Sequence, residues 1–374
     1  MGEHSLDKVN TVIIGAGPAG LACAGALKIR GKQAVVLEKS DGVGSVWRGH
    51  YDRLHLHTAK RYSGLPGFPM PKSYPRYPSR AQVVSYLEDY AAHHGIAPRF
   101  GVEVQSLARG GHWQVRTSTG IIETSHVIVA GGVASFPHLA DWPGLDQFSG
   151  QLVHSSDYKN ATGFEGMKML VVGMGNSGGE IALDLAQAGL DTTISVRGPV
   201  NVIPRDVLGI PAQSFSVAER HLPYKMVDVV NGAITRLRMG DVTKLGLAKP
   251  SKGSIAQIIE DGRVPLIDVG TIAAIRDGSI SVCGAISHVD GGQIHFADGA
   301  SSGFDGIVLA TGYKPDLREM LPDHGALLGE TGAPATSGAK SGADGLFFCG
   351  YKVVPTGHLR EIAIEAGEIA DSIS

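Results

Sequence analysis

Two glycine-rich turns carry the chemistry legible in this chain: Gly15-Ala16-Gly17-Pro18-Ala19-Gly20 and Gly173-Met174-Gly175-Asn176-Ser177-Gly178. Glycines at this spacing let the backbone turn tightly, approach a bound pyrophosphate and pack a helix against a strand. A helix starting on such a turn presents free N–H groups and the positive end of its dipole, a site for an anion. The residues expected to form the first cradle are Gly15, Gly17, Pro18, Ala19 and Gly20. Those of the second are Gly173, Gly175, Asn176, Ser177 and Gly178.

The residue at the end of the next strand separates the two turns. Glu38, with Lys39 beside it, stands 23 residues beyond Gly15. An acid at that offset accepts hydrogen bonds from ribose hydroxyls, whereas an arginine accommodates a 2′-phosphate. Arg197 stands 24 residues beyond Gly173. The first cradle therefore reads as an FAD site and the second as an NADPH site. Two redox cofactors in one chain favour an oxidoreductase over a binding module.

The elements that must position these turns are also legible. Val9–Ile14 is an apolar run of the kind found in buried parallel strands. A helix over Leu21–Arg30 comes next, stopped by Gly31, and then a strand over Gln33–Leu37 ending at Glu38. The second unit repeats the order: strand Lys168–Val172, helix through Leu190, strand Asp191–Val196. Strand, glycine turn, helix, strand and a ribose-facing residue is the context that makes the glycine pattern specific. Val127–Gly132 and Ile307–Tyr313 are two further strands that run into glycines. They read as the exit from and the return to the first unit, and add Gly131, Thr311 and Gly312 to the expected cofactor-binding set. Phe347–Gly350 reads as a last strand, with Gly350 at the cofactor, and Leu359–Ile373 as an amphipathic helix completing the first sheet. The expected fold is α/β, with two dinucleotide-binding (Rossmann-like) domains, the NADPH domain inserted into the FAD domain. The boundaries fall at 1–137 and 314–374 for the FAD domain and 138–313 for the NADPH domain.

The bulk composition agrees with a globular two-domain enzyme and excludes other classes. Among 374 residues, 43% are hydrophobic and 18% charged, and the net charge of −3 carries no nucleic-acid footprint. The three cysteines, Cys23, Cys283 and Cys349, are far apart in sequence and form no Cys-x-x-Cys pair. That argues against a zinc site or a disulfide framework and suits a reducing compartment. No apolar stretch approaches the roughly 20 residues of a membrane span. Met1–Lys8 is short and polar, without the apolar centre of a signal peptide, so a cytoplasmic protein is expected. His55 and His57 share one side of an extended segment, but no further metal ligands stand near them, so no metal is expected. The assembly is left open, with a homodimer as one option.

Other segments resemble class B flavin-dependent monooxygenases. Phe148-Ser149-Gly150-Gln151-Leu152-Val153-His154-Ser155-Ser156-Asp157-Tyr158 resembles their fingerprint, and Tyr158 in place of Trp leans toward the flavin-containing monooxygenase branch. Gly44-Ser45-Val46-Trp47 looks like the family's flavin-contacting Gly-x-x-Trp segment. Leu54–Lys60 with Gly64-Leu65-Pro66 after it resembles a loop lining the flavin. Leu208-Gly209, Gly240-Asp241, Gly246-Leu247, Lys249-Pro250 and Pro265–Gly270 are similar to YUCCA-type enzymes and bacterial proteins like them. The resemblance extends over nearly the whole chain.

It implies that NADPH reduces the flavin, that O2 then forms a C4a-(hydro)peroxyflavin, and that a small organic substrate is oxygenated. It also implies flavin contacts for Gly44, Trp47 and His55, with His57 where related enzymes commonly place an Asn beside the reactive carbon. Lys60 is the candidate cation for a substrate carboxylate. A carbonyl substrate, an aryl 2-oxo acid such as indole-3-pyruvate, is expected. The rivals are oxygenation of nitrogen or sulfur, and a flavin-dependent NADPH reductase or electron-transfer protein. The substrate pocket should draw on Pro66–Pro78 and on Leu208–Lys252.

Overall fold

The computed structural model describes residues 7–134 and 136–373, so most of the polar N-terminal stretch Met1–Lys8 lies outside the described residues. Its first sheet runs in the order Gly338–Ala343, Leu346–Phe348, Gly120–Val129, Asp7–Ile14 and Val35–Leu37. Asp7–Ile14 lies parallel to both neighbours, with Val12 opposite Val35 on one side and Val127 on the other. Val12, Ile13, Val127 and Ile128 are fully buried, as expected for strands with both faces covered. Gly120–Val129 is long enough to serve two partners along one edge. Its first half pairs antiparallel with Trp113–Thr117 of a hairpin, and its second half pairs parallel with Leu346–Phe348.

The helix Pro18–Ile29 and the C-terminal helix His358–Ser372 pack together in the core cluster behind this sheet. Pro18 at the first helical turn suits the start, since its missing N–H is one of the helix's unpaired donors and its φ is already helical. Cys23 and Cys349 both sit in this cluster, wholly buried. The hydrogen bond with the neighbouring Cys23 thiol, and then burial, push the Cys349 thiol well above its ordinary value. Residues distant in the chain are thus in contact here.

The second sheet repeats the plan in the order Ile280–Cys283, Asp191–Ser195, Lys168–Val172, Gly306–Leu309 and Gln151–His154, every pair parallel. A three-stranded antiparallel meander, Ile286–Asp290, Gln293–Phe296 and Ser301–Gly303, leads into its Gly306–Leu309 strand. The strands expected over Val127–Gly132 and Ile307–Tyr313 end earlier, at Val129 and Leu309, where the glycine segments leave the ladders. Those segments meet beyond the sheets, where Pro137 bridges to Tyr313 and the His138 N–H donates to the Gly312 carbonyl at 2.9 Å. Between Asp191–Ser195 and Ile280–Cys283 lies an insert of short hairpins and helices, closed by Val202–Pro204 pairing with Leu266–Asp268. Among the described residues no helix is long and apolar enough to cross a membrane.

Candidate active site

The two glycine turns have the same build, residue for residue. Gly15 and Gly173 both sit at φ +104°, and a Cβ on either would press on a carbonyl oxygen, of Ala130 at 2.8 Å or Ala310 at 2.5 Å. A Cβ on Gly20 or Gly178 would overlap the carbonyl of the turn's own first glycine. These four positions are therefore set by the protein's own packing. Gly17 and Gly175 differ: each has ordinary extended φ and ψ, and a Cβ there would meet nothing within 4 Å. The open space lies at the helix N-cap, and neither N-cap residue has a side chain to satisfy the first N–H groups. Unpaired donors, a helix dipole and room for oxygen atoms fit a pyrophosphate at each turn.

Glu38 stands beside the first cradle, buried, with Oε2 accepting from the Ala16 N–H at 2.7 Å and Oε1 from Ser40. The bonds aim the carboxylate at the turn where ribose hydroxyls would lie, while Lys39 is exposed. Gly44, in the left-handed region, gives its N–H to the Ala16 carbonyl at 3.0 Å and so closes the next loop onto the cradle. Gly131 faces the Tyr351 hydroxyl. Gly350 donates to buried Glu365 at 2.7 Å, and burial holds that carboxyl above its ordinary value. At the second unit, Asn176 accepts the Ile267 N–H at 2.7 Å, tying the helix start to the insert. Thr311 donates its hydroxyl to the His138 carbonyl.

Arg197 is exposed and has no hydrogen-bond or ion-pair partner among the described residues. It shares a basic corner with Lys314. Burial first, and then the charges of Lys314 and Arg197, lower the His138 imidazole below its ordinary value. An unpaired guanidinium beside a second cation at the end of the Asp191–Ser195 strand fits a 2′-phosphate.

The loop after Trp47 lies against the helix of the second glycine turn, Asn176–Gln187. Ser177, Glu180, Asp184 and Gln187 fall three or four residues apart, which puts them on one face. Tyr51 hydrogen-bonds Ser177. His57 Nε2 meets Glu180, whose side chain is only 5% exposed. Arg53 reaches Asp184 at 3.3 Å and Gln187 at 3.0 Å, and the Tyr158 hydroxyl donates to Asp184 at 2.7 Å. Tyr158 ends the fingerprint segment, so its hydroxyl fastens that segment to the same helix. Sequence reasoning missed this face. Its signal was present in the regular spacing of polar residues on a helix otherwise buried.

Several of the residues singled out in the sequence have other partners here. His57 gives one ring nitrogen to Glu180, leaving Nδ1 as the nitrogen without a partner among the described residues. His55 is exposed and its Nδ1 turns to the Arg53 carbonyl at 2.7 Å, so the two histidines do not act together. Lys60 is expected to face substrate, yet its ammonium donates to the carbonyls of Pro71, Lys72 and Tyr74 and braces its own loop. Trp47 packs on the first core with its ring edge-to-face with His50 at 5.9 Å. Burial, aided by the charges of Lys159 and Arg80, lowers the His50 imidazole to about 4. His154 is buried, its ring edge-on to Tyr313 at 5.4 Å, where the two crossing segments meet.

The site closes with Gln213, buried on the insert's helix Ala212–Ala218. Its Oε1 accepts the Ala59 N–H at 2.8 Å and its Nε2 donates to the Thr356 carbonyl at 2.7 Å. One amide thus joins the insert, the His57–Lys60 loop and the start of the C-terminal helix, whose N-cap Gly357 has no side chain to bond its N–H groups.

The profile of the pyridine nucleotide-disulphide oxidoreductase family matches residues 12–207. The chain is 41% identical over 348 residues to the indole-3-pyruvate monooxygenase YUCCA1 of Oryza sativa subsp. japonica, covering 91% of this chain and 86% of that one. It is 37% identical over 373 residues to a probable indole-3-pyruvate monooxygenase, YUCCA4, of Arabidopsis thaliana, covering 97% and 89%. Among solved structures, a flavin-containing monooxygenase from Stenotrophomonas maltophilia has the same fold over 98% of each chain, with a TM-score of 0.76 at 22% identity.

Proposed function

The chain belongs to the pyridine nucleotide-disulphide oxidoreductase family, among the YUCCA-type flavin monooxygenases, and from that premise we propose that its substrate is an aryl 2-oxo acid of the indole-3-pyruvate kind. It is an oxidoreductase that uses FAD, NADPH and O2. The reaction proposed joins one oxygen atom to the keto carbon, breaks the bond to the carboxyl carbon and releases CO2. The second oxygen leaves as water, with NADPH supplying the hydride. The product is the acid one carbon shorter.

The observation that carries this reading is the identity of 41% to an indole-3-pyruvate monooxygenase, spread over 91% of the chain and not confined to the cofactor turns. FAD, when bound, supplies the electron transfer and the activation of O2. Every other part falls to the chain's own residues. Gly15, Gly17, Pro18, Ala19 and Gly20 would hold the FAD pyrophosphate and Glu38 its ribose, with Gly44, Gly131 and Gly350 around them. Gly173, Gly175, Asn176, Ser177 and Gly178 would hold NADPH, and Arg197 with Lys314 its 2′-phosphate. Thr311 and Gly312 would keep the two domains, divided near residues 137 and 313, in register. The contacts of Tyr51, Arg53, His57 and Tyr158 with one face of the second helix would fix the distance between the cofactors and exclude water between them. Nδ1 of His57, which has no partner among the described residues, would be the ring nitrogen left to hydrogen-bond a bound cofactor or substrate. The uncapped start of the C-terminal helix would face the flavin and favour its negative charge when reduced.

Purified enzyme given NADPH, O2 and indole-3-pyruvate should release CO2 and indole-3-acetate in step with NADPH loss. NADPH consumption that yields only hydrogen peroxide, together with efficient sulfoxidation of a thioether, would favour oxygenation of sulfur or nitrogen instead.

A further inference from the structure

Two cavities share Lys60 and Arg61 in their walls. One, of about 380 Å³, is lined by Ala59, Lys60, Arg61, Arg76, Gly209, Ile210 and Pro211. The other, of about 280 Å³, adds Gly64, Pro69, Met70 and Lys72. The larger lies between the loop after His57 and the insert hairpin Asp206–Pro211, within the range of small-molecule sites. Among the described residues four cations and no carboxylate line the pair, although the chain as a whole carries a net charge of −3. The rest of the lining is apolar or glycine. A ligand suited to both features has an anionic end and an apolar body.

The cations are not equivalent. Lys60 donates to three backbone carbonyls. Arg76 is held by Asp206 at 3.1 Å and the Gly209 carbonyl at 2.6 Å. Arg61 has one hydrogen bond, to the Ser214 hydroxyl at 2.6 Å, and its guanidinium rests over the Tyr62 ring at 4.6 Å. Its remaining N–H donors have no partner among the described residues. A planar guanidinium fixed at one corner, with donors to spare, can take a carboxylate in the bidentate manner. Hydrogen bonds also tie the cavity wall to the start of the C-terminal helix. Ala59 in its wall is bonded to Gln213, which is bonded in turn to Thr356 at the start of the C-terminal helix.

We propose that this basic cavity is the subsite that captures the substrate's carboxylate, with Arg61 as the residue that binds it and the apolar wall of Ile210 and Pro211 receiving the aryl group. The proposal rests on the reading of the substrate as an aryl 2-oxo acid. It replaces Lys60 by its neighbour in the role of anchor, because the ammonium of Lys60 is already satisfied by its own loop.

The test separates binding from turnover. Indole-3-acetate has the aryl group and the carboxylate but no keto carbon to react. Its binding to the oxidised FAD-loaded enzyme is measured by calorimetry, without NADPH. Arg61→Ala should weaken it about tenfold to a hundredfold, the range for a charge-assisted hydrogen bond, and Arg61→Lys should recover part of the loss. In turnover, kcat/KM for indole-3-pyruvate should fall by a similar factor, with the wild-type value decreasing as salt rises. The KM for NADPH should not change, and binding of the uncharged indole-3-acetamide should weaken far less than that of indole-3-acetate. Equal affinity of wild type and Arg61→Ala for indole-3-acetate would overturn the proposal, as would equal losses of affinity for indole-3-acetate and indole-3-acetamide. Arg61-dependent binding in an enzyme that never decarboxylates indole-3-pyruvate would uphold the anion site and reject the substrate reading alone.

Discussion

Replacing Gly17 by alanine tests the first cradle in a way that replacing its neighbours cannot. The backbone at Gly17 has φ −79° and ψ −174°, which any L-residue adopts without strain, and a Cβ there meets nothing within 4 Å. Without flavin, Gly17→Ala should leave the fold intact and raise stability by about 0.4–1 kcal/mol, because alanine narrows the unfolded ensemble. The methyl group would then stand in the space where the pyrophosphate approaches the backbone. Bound FAD at about 100 times its dissociation constant stabilises a protein by roughly 2.7 kcal/mol, and this increment should shrink or vanish in the variant. Gly20→Ala gives the contrast. Its Cβ would overlap the Gly15 carbonyl, so backbone must shift and the flavin-free protein itself should lose stability. The assay is urea denaturation of flavin-free and FAD-reconstituted protein, with flavin content read from absorbance. Gly17→Ala that purifies with full flavin and keeps the whole reconstitution increment would refute the reasoning. So would a flavin-free Gly17→Ala protein destabilised as much as Gly20→Ala.

Arg197→Ala should raise the KM for NADPH about tenfold to a hundredfold and leave NADH nearly unaffected, since only NADPH has the 2′-phosphate; equal losses would make Arg197 structural. Asp184→Ala removes the acceptor shared by Arg53 and Tyr158, and should cost roughly 1.5–3 kcal/mol in urea denaturation, a loss below about 0.5 kcal/mol arguing against the contact. A double-mutant cycle with His57→Ala and Glu180→Ala should show a coupling of about 0.5–3 kcal/mol, and strictly additive losses would mean that the two side chains do not interact. His50 gives a pH dependence. Its imidazole titrates near 6.5 in the unfolded chain but only at about 4 when folded, so the unfolded state takes the proton first. Stability contributed above pH 6.5 is lost as pH falls toward 4, by roughly 3 kcal/mol in all. His50→Gln should flatten that limb of the stability curve, and an unchanged limb would assign it to other groups.

The parts of this enzyme legible in the sequence are those made by neighbouring residues. A strand, a glycine turn, a helix and the acid or arginine after the next strand are defined by local dihedral limits and by apolar runs. The two glycine turns with their strands and helices could therefore be read before any contact was known, as could the insertion of one unit within the other, with Glu38 and Arg197 as candidates for the ribose and the 2′-phosphate. The partners of single side chains were decided elsewhere. His57 meets Glu180 across 123 positions, Ala59 meets Gln213 across 154, and Cys23 meets Cys349 although nothing in their spacing links them. Both Lys60 and Arg61 stand in the cavity wall, and which of them keeps donors to spare depends on the folded loop, through carbonyls of Pro71, Lys72 and Tyr74 that lie near Lys60 only after the loop has turned back. Periodicity and spacing report which face a residue takes within its own element. Only the packing of one element on another determines what that face meets.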